Sequence, residues 1–387
     1  MSKPHILIVG AFPPSHSTVV GGIVTCCRLL LETNFPERFD ITPIDTTQIS
    51  NPPPGLMVRA WLAFWRFQRY LWHLRRQRPS AVLLFAASGL SIVEKGIMAW
   101  CARLVGVPAL IFPRGDVEHR QGLTRLVHHW ALRGADKVLC QGPTWQRFAV
   151  SEVGFALPDA PVLPNWTARP VLLAAGRTRR YEVSEVVRLV FIGWLERTKG
   201  VLELLTACAR LKDLCAFELT LVGRGQLEPE ARDFVSSHGL QDRVHFAGWL
   251  KDDEVDSILE TSDALVLPSW AEGMPNAVIE AMAAGLPVVV TAVGNIPDFV
   301  TNNAEALLIH PRDVEALTEA LQRVLTDPAL RERMGRAGHS LAATVFSPES
   351  ASDELAHEVE DSMAKARRLR EAHGAMSRFF VRPGADR

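Results

Sequence analysis

The longest apolar runs in the chain, AVLLFAA at 81–87 and the stretch around 288–293, fall well short of the roughly 18 to 20 residues that span a bilayer. A membrane-spanning bundle is therefore excluded. Cysteine is sparse: six residues are scattered along the length, no CxxC spacing occurs, and only Cys26 and Cys27 are adjacent. Neither a disulfide framework nor a zinc site is expected from that pattern, and the thiols read as reduced and mostly buried. The opening MSKPHILIVGAF runs directly into a strand-like segment with no long apolar core or small-residue cleavage site, so no secretory signal is expected and the cytoplasm is the expected location. No Asp or Glu occurs from Thr46 to Val93.

What is present fits a globular protein. With 387 residues, 48% of them hydrophobic and 22% charged, the chain is long enough for two or three domains with sizeable cores. The net charge of −1 hides an asymmetry: residues 1–180 hold 21 Lys/Arg against 10 Asp/Glu, and 181–387 hold 21 against 33. The first half should favour an anionic partner.

Strand-like and helix-like segments alternate through both halves. HILIVGAF, FDITPID, AVLLFAAS and PALIFPRG read as strands of the first; RLVFIGWL, FELTLVGRG, VHFAGWL, ALVLPSW and PVVVTAV as strands of the second. Two doubly wound parallel-sheet domains in tandem are expected, spanning 1–165 and 187–345. The segment 166–186 loses the alternation and reads as a linker, and a polar helix over about 346–372 is expected to pack back on the first domain.

The segment SWAEGMPNAVIEAMAAGLPVVVT at 269–291 runs strand, loop, helix, Gly-Pro stop, strand. Glu272 lies in the loop, and Gly273 and Pro275 leave backbone N–H groups facing outward before a helix that Asn276 can cap. Such a helix start is suited to an anion such as a diphosphate. Glu280, one turn inside, is spaced to meet vicinal hydroxyls, as acidic residues do for ribose in other α/β nucleotide sites. An ordinary βαβ unit with two solvated acids fits the spacing equally well.

EGMPNAVIE at 272–280 resembles the Glu, seven residues, Glu signature of retaining nucleotide-sugar glycosyltransferases, the large family 4 with the GT-B fold. The resemblance extends to VFIGWLERTKG at 190–200, LTLVGRGQLEPE at 219–230, VHFAGWL at 244–250 and AMAAGLPVVVTAVGNIPDFV at 281–300. It is looser in the first half, where it includes the Pro-rich loop ending at Gly21 and Gly22, PRGDVE at 113–118 and ADKVLCQG at 135–142. It implies two Rossmann-like domains facing a cleft, with the nucleotide-sugar donor on the second domain and a carbohydrate or lipid-linked acceptor on the first. The implied reaction is transfer of a sugar to a hydroxyl with retention, toward a lipid-linked or cell-surface polysaccharide precursor. Neither a metal nor another cofactor is expected, and no nucleic acid partner.

The resemblance also assigns residues. Glu272 would bond hydroxyls of the donor sugar, Glu280 the ribose and Lys199 the diphosphate; Gly273, Met274, Pro275, Asn276 and Ala277 would line sugar and phosphates; Gly193 and Arg224 belong to the donor-side turns; Gly21 and Gly22 would approach the diphosphate across the cleft. Two departures stand out. Trp194 occupies the place of a phosphate-binding Arg found in many relatives, which makes Arg197 or Arg114 the candidate replacement. Arg114 also stands where many relatives carry a His, suited there to a leaving phosphate or an anionic acceptor.

Competing readings are weaker. Gly223-Arg224-Gly225 lacks the third glycine of a dinucleotide fingerprint. His128 and His129 point to different sides of a helix, which disfavours a metal site. His16 reads as a surface loop residue. An epimerase of the same fold and a non-catalytic subunit remain the alternatives to a transferase.

The stretch 56–78, from Leu56 to Arg78, is LMVRAWLAFWRFQRYLWHLRRQR. On a 3.6-residue period Arg59, Arg66, Arg69, His73 and Arg76 share one face, with Met57, Trp61, Phe64, Trp65, Leu71 and Trp72 on a broad apolar one. This is the composition of helices that lie on anionic membranes, and contact at the inner face of a membrane is one reading. The other has the apolar side covering the sheet that AVLLFAAS enters.

Overall fold

The computed structural model describes residues 3–13, 22–47, 54–87, 89–115, 122–181 and 185–380. The first sheet is built from β1 (His5–Gly10), β2 (Asp40–Asp45), β3 (Ala81–Ala86), β4 (Ala109–Pro113) and β5 (Lys137–Val138), in the order β2-β1-β3-β4-β5 and parallel throughout. Its helices are α1 (Gly22–Glu32), α2 (Phe35–Arg38), α3 (Leu56–Arg76), α4 (Leu90–Leu104), α5 (Gly122–Leu132) and α6 (Pro143–Phe148). Alternate residues of β1 separate two cores, as the twofold side-chain period requires. Leu7 and Val9 face Tyr70 and Leu74 of α3, Met98 of α4 and Leu132 of α5, while Ile6 and Ile8 face Cys26, Cys27 and Leu30 of α1. The layer α3–α4–α5 therefore covers one side of the sheet and α1 the other.

A helix, α7 (Pro170–Thr178), follows, with Pro170 in its first turn. It lies within the stretch that loses alternation and packs on the second domain, Leu172 joining its core and the partly buried Leu173 lying against it. That domain comprises β6 (Val187–Ile192), α8 (Val201–Leu211), β7 (Phe217–Val222), α9 (Glu228–Ser237), β8 (Val244–Gly248), α10 (Asp252–Thr261), β9 (Ala264–Leu267), α11 (Asn276–Ala283), β10 (Val288–Thr291), α12 (Ile296–Phe299), β11 (Ala306–Ile309), α13 (Val314–Thr326) and α14 (Pro328–Val345). Its strands run parallel in the order β11-β10-β9-β6-β7-β8. Strands such as VVVT and ALVL are buried on both faces, the expected behaviour of a parallel sheet covered by helices.

The chain then returns. Helix α15 (Pro348–Phe380) puts Ala351, Leu355, Ala356 and Val359 into the core shared with α1. Polar anchors hold its register: Lys137 Nζ meets the Glu358 carboxylate and lies 2.7 Å from Asp361, and Arg38 lies 2.8 Å from Glu360.

Helix α3 divides differently from its simple wheel. Tyr70, His73 and Leu74 are buried against the sheet layer, with the Tyr70 hydroxyl donating to Met98 O at 2.8 Å. Arg66 turns inward to Glu94, 3.0 Å away. Trp61, Trp65 and Trp72, spaced to fall on one stripe, face outward at 62%, 55% and 54% exposure. The tryptophans therefore do not cover the sheet, because Tyr70, Leu74 and the partly buried Phe67 and Leu71 already fill that contact. No helix among the described residues is long and apolar enough to cross a membrane.

Because Leu355 is fully buried, Leu355→Ala is expected to cost about 2–5 kcal/mol. Denaturant unfolding should show a lower midpoint; an unchanged one would mean that α15 merely leans on the first sheet.

Candidate functional site

A cleft of about 410 Å³ lies between the C-terminal ends of the two sheets, where open α/β sheets place their ligands. The loop from β9 to α11 forms much of its floor. Gly294 has φ 59°, and a Cβ there would stand 1.9 Å from the Glu272 carbonyl oxygen. Glycine thus lets the segment after β10 close against the loop, where Asn295 N–H donates to Gly273 O at 2.8 Å. On the other side Trp270 N–H donates to Thr198 O at 2.8 Å. The next turn closes tightly because Gly200, at φ 70°, would place a Cβ 2.1 Å from Pro268 O. These contacts bring Lys199 Nζ to 2.7 Å from Glu272 Oε1 in a largely buried ion pair.

Gly22, Arg114, Gly193, Lys199, Glu272, Gly273, Met274, Pro275, Asn276, Ala277 and Glu280 all line this cleft. Gly21 lies outside the described residues. Arg197 and Arg224 are not brought to the lining. Arg197 is on the exposed side of its turn, 3.0 Å from Glu230 of α9, and Arg224 is exposed beside Gly248. The short 197–199 turn can aim only one of its two cations inward, and Lys199 is the one that meets a buried acid.

Asn276 does not cap α11. The N-cap position is Pro275, and Asn276 is the first helical residue. Its side chain is drawn instead toward the first domain, accepting from Asn165 Nδ2 at 3.1 Å and donating to Gly22 O at 3.4 Å. The amides at the start of this eight-residue helix remain directed at the cleft.

Glu280 is not a solvated acid. Burial pushes its carboxyl up to about 7, with Arg169 opposing the shift and Asp252 and Asp256 adding to it. Arg114 lies against the rings of Phe112 and Trp166, at 4.8 and 5.3 Å, and donates to Cys26 Sγ. Its other terminal nitrogen, Nη1, is buried with no hydrogen-bond partner among the described residues. Trp194 packs on Trp249 with ring centres 5.1 Å apart, so the wall of the cleft beside Gly193 and Gly223 is aromatic.

Four contributors escape sequence reasoning. Gln141, Asn165, Arg169 and Trp249 line the cleft. Asn165 Nδ2 donates to Met274 O at 2.7 Å, Asn165 Oδ1 accepts from Gln141 Nε2 at 2.7 Å, and Gln141 Oε1 accepts from Gly115 N–H at 3.0 Å. Arg169 holds Asp256 through both guanidinium nitrogens. The available signal was a polar Asn set between Pro164 and Trp166 in an otherwise apolar run. Among the described residues no cluster of three or more His, Cys, Asp or Glu is arranged to hold a metal ion.

Residues 181–341 match the family model described as Glycosyl transferases group 1. The 2-deoxystreptamine glucosyltransferase of Streptomyces kanamyceticus is 31% identical over 293 residues, covering 70% of this chain and 75% of that protein. The MMP alpha-(1→4)-mannosyltransferase of Mycolicibacterium hassiacum is 34% identical over 168 residues, covering 43% of this chain and 41% of that protein. Among solved structures, sucrose-phosphate synthase from Thermosynechococcus elongatus superposes with a TM-score of 0.73 at 19% identity, covering 94% of this chain and all of that one. Anabaena HepE, solved in complex with UDP, superposes with a TM-score of 0.67 at 16% identity, covering 92% of this chain and all of that one. The arrangement shared with these neighbours is GT-B, which is the fold of this chain.

An acid whose folded pKa is raised stabilises the folded form below its unfolded value and loses that contribution as pH rises through the folded one. The stability of the wild-type protein relative to Glu280→Gln should therefore fall between about pH 4.5 and pH 7. Denaturation midpoints measured across that window give the difference; a flat difference would place the carboxyl in solvent.

Proposed function

The chain belongs to the Glycosyl transferases group 1 family, and we propose that this glycosyltransferase moves a sugar from a nucleoside diphosphate sugar to a hydroxyl, with retention at the anomeric carbon and without a metal ion. The Lys199–Glu272 pair at the start of α11, inside the cleft between the two sheets, is the observation that carries this reading. Lys199 meets the diphosphate and Glu272 the hydroxyls of the donor sugar. Glu280 bonds the ribose, the amides of Gly273 to Ala277 line sugar and phosphates, and Gly22 approaches from the opposite wall.

Negative charge develops on the leaving diphosphate as the glycosidic bond breaks. Lys199 and the positive end of α11 provide fixed potential there, and fixed groups stabilise such charge without reorganising. Arg114 adds a cation on the wall of the first domain, for the leaving phosphate or for an anionic acceptor. Trp194 and Trp249 form a surface on which a nucleobase can stack. The complex of HepE with UDP makes uridine nucleotides the first donors to try. The acceptor is a lipid-linked or cell-surface polysaccharide precursor met at the inner face of a membrane, through the helix that begins at Leu56.

Loss of a charge-assisted hydrogen bond costs about 1.5–3 kcal/mol, so Glu272→Gln should lower turnover roughly 10- to 150-fold. An unchanged thermal midpoint would show that the fold is intact, and wild-type release of nucleoside diphosphate by the variant would overturn the assignment. Turnover should also survive exhaustive treatment with a chelator. Loss restored by Mg²⁺ or Mn²⁺ would reject the metal-free mechanism.

A further inference from the structure

We propose that the bilayer-facing surface of this protein is the outer side of all three helices α3, α4 and α5, and that the acceptor side of the cleft opens at its edge. The inference rests on the membrane-borne acceptor proposed above and names the surface that meets the bilayer. Each of these helices starts from the C-terminal end of the first sheet, the end at which Arg114 and Gly115 line the cleft. Leu56 and Met57 of α3, Leu90 of α4 and Leu123 and Leu126 of α5 stand in the first turns of their helices and are exposed. The apolar rim thus stands at the same end of the sheet as the cleft. Trp72 on α3, Leu104 on α4 (84% exposed) and Trp130 on α5 continue the surface toward the opposite end.

The helices form one layer. His128 Nε2 of α5 lies 3.2 Å from Gly89 O at the start of α4, and Trp100 stacks on Trp130 with ring centres 6.0 Å apart. Exposed large apolar side chains gathered on three neighbouring helices mark an interaction surface, where singly scattered ones would not.

Charge selects the occupant. Helices α3 and α5 contain no Asp or Glu, and the single acid of α4, Glu94, is taken up by Arg66 and Lys95. Arg59, Arg69, Arg75 and Arg76 of α3 are exposed around the tryptophan stripe. On the other side of the same sheet, the acids of α15 are spent on the domain itself, Glu358 and Asp361 on Lys137 and Asp353 and Glu360 on Arg38. Arginine beside Trp and Leu, on helices whose single acid is paired, is the composition of an interface with anionic lipid. A second copy is a poor partner, because a twofold contact would set these arginines against their own equivalents.

The test is flotation of the full chain with vesicles of phosphatidylcholine alone and of phosphatidylcholine with phosphatidylglycerol. The expected result is recovery with the anionic vesicles only, weakening with salt. Leu123→Ser with Leu126→Ser on α5 should lower recovery by at least as large a factor as Trp61→Ser with Trp65→Ser on α3. Full recovery of the α5 variant would restrict contact to α3 and overturn the three-helix surface, and equal recovery with neutral and anionic vesicles would overturn the lipid assignment. Self-association in the absence of lipid that the same substitutions abolish would assign the face to a second copy and likewise overturn it. Thermal shifts with UDP-sugars, measured without vesicles, should be the same in every variant. Vesicle binding without any donor shift would leave this surface standing and count against the transferase reading alone.

Discussion

Asn165 sits buried between the two sheets and spends its whole amide on joining them. Its Nδ2 donates to the Met274 carbonyl and to Asn276, and its Oδ1 accepts from Gln141, which in turn accepts from Gly115. A buried amide has no water to fall back on, so its partners must stay in register. Met274 and Asn276 flank the turn that opens α11, and Gly115 follows Arg114. One side chain therefore fixes the distance between the donor-side turn and the opposing wall. Further ties act in parallel, Arg28 with Asp252 and Thr144 with Asp298. All three are polar and none is part of either apolar core, the arrangement expected where two cores meet without merging.

Within that frame the cleft concentrates opposite charges at short range. Lys199 and Glu272 hold one another at 2.7 Å, so each side chain is oriented by the other. A ligand that engages either side chain must loosen that contact. Glu280 and Arg114 are held differently, the first by burial and the second against aromatic rings. The site thus contains one satisfied ion pair and two ionisable groups whose environments leave them incompletely compensated.

Much of this was legible in the chain. Strands such as AVLLFAA and PVVVT announce themselves because a parallel sheet buries both faces, and the Glu272-to-Glu280 spacing places loop, turn and helix without ambiguity. Other features depended on choices that local pattern does not encode. Whether Arg197 or Lys199 turns inward depends on which one finds Glu272 and which finds Glu230, two acids far from them in sequence. The wheel of α3 separates arginines from tryptophans, yet its sheet-facing stripe proved to be Tyr70, His73 and Leu74, because Glu94 on α4 draws Arg66 inward. Asn276 has the chemistry of a cap and is used as a strut, since Asn165 reaches it from the other domain. Long-range pairing decided each case.

The return of α15 to the first sheet imposes an order on biosynthesis. Leu355, Ala356 and Val359 fill the core around α1, and Lys137 pairs with Glu358 and Asp361. The first domain must therefore wait, with one apolar side bare and a buried lysine lacking these counter-ions, until α15 has been made. Domains ordinarily complete in the order of their synthesis. Here the second domain can finish before the first, which makes the exposed α1 face the point at which a nascent chain needs shielding.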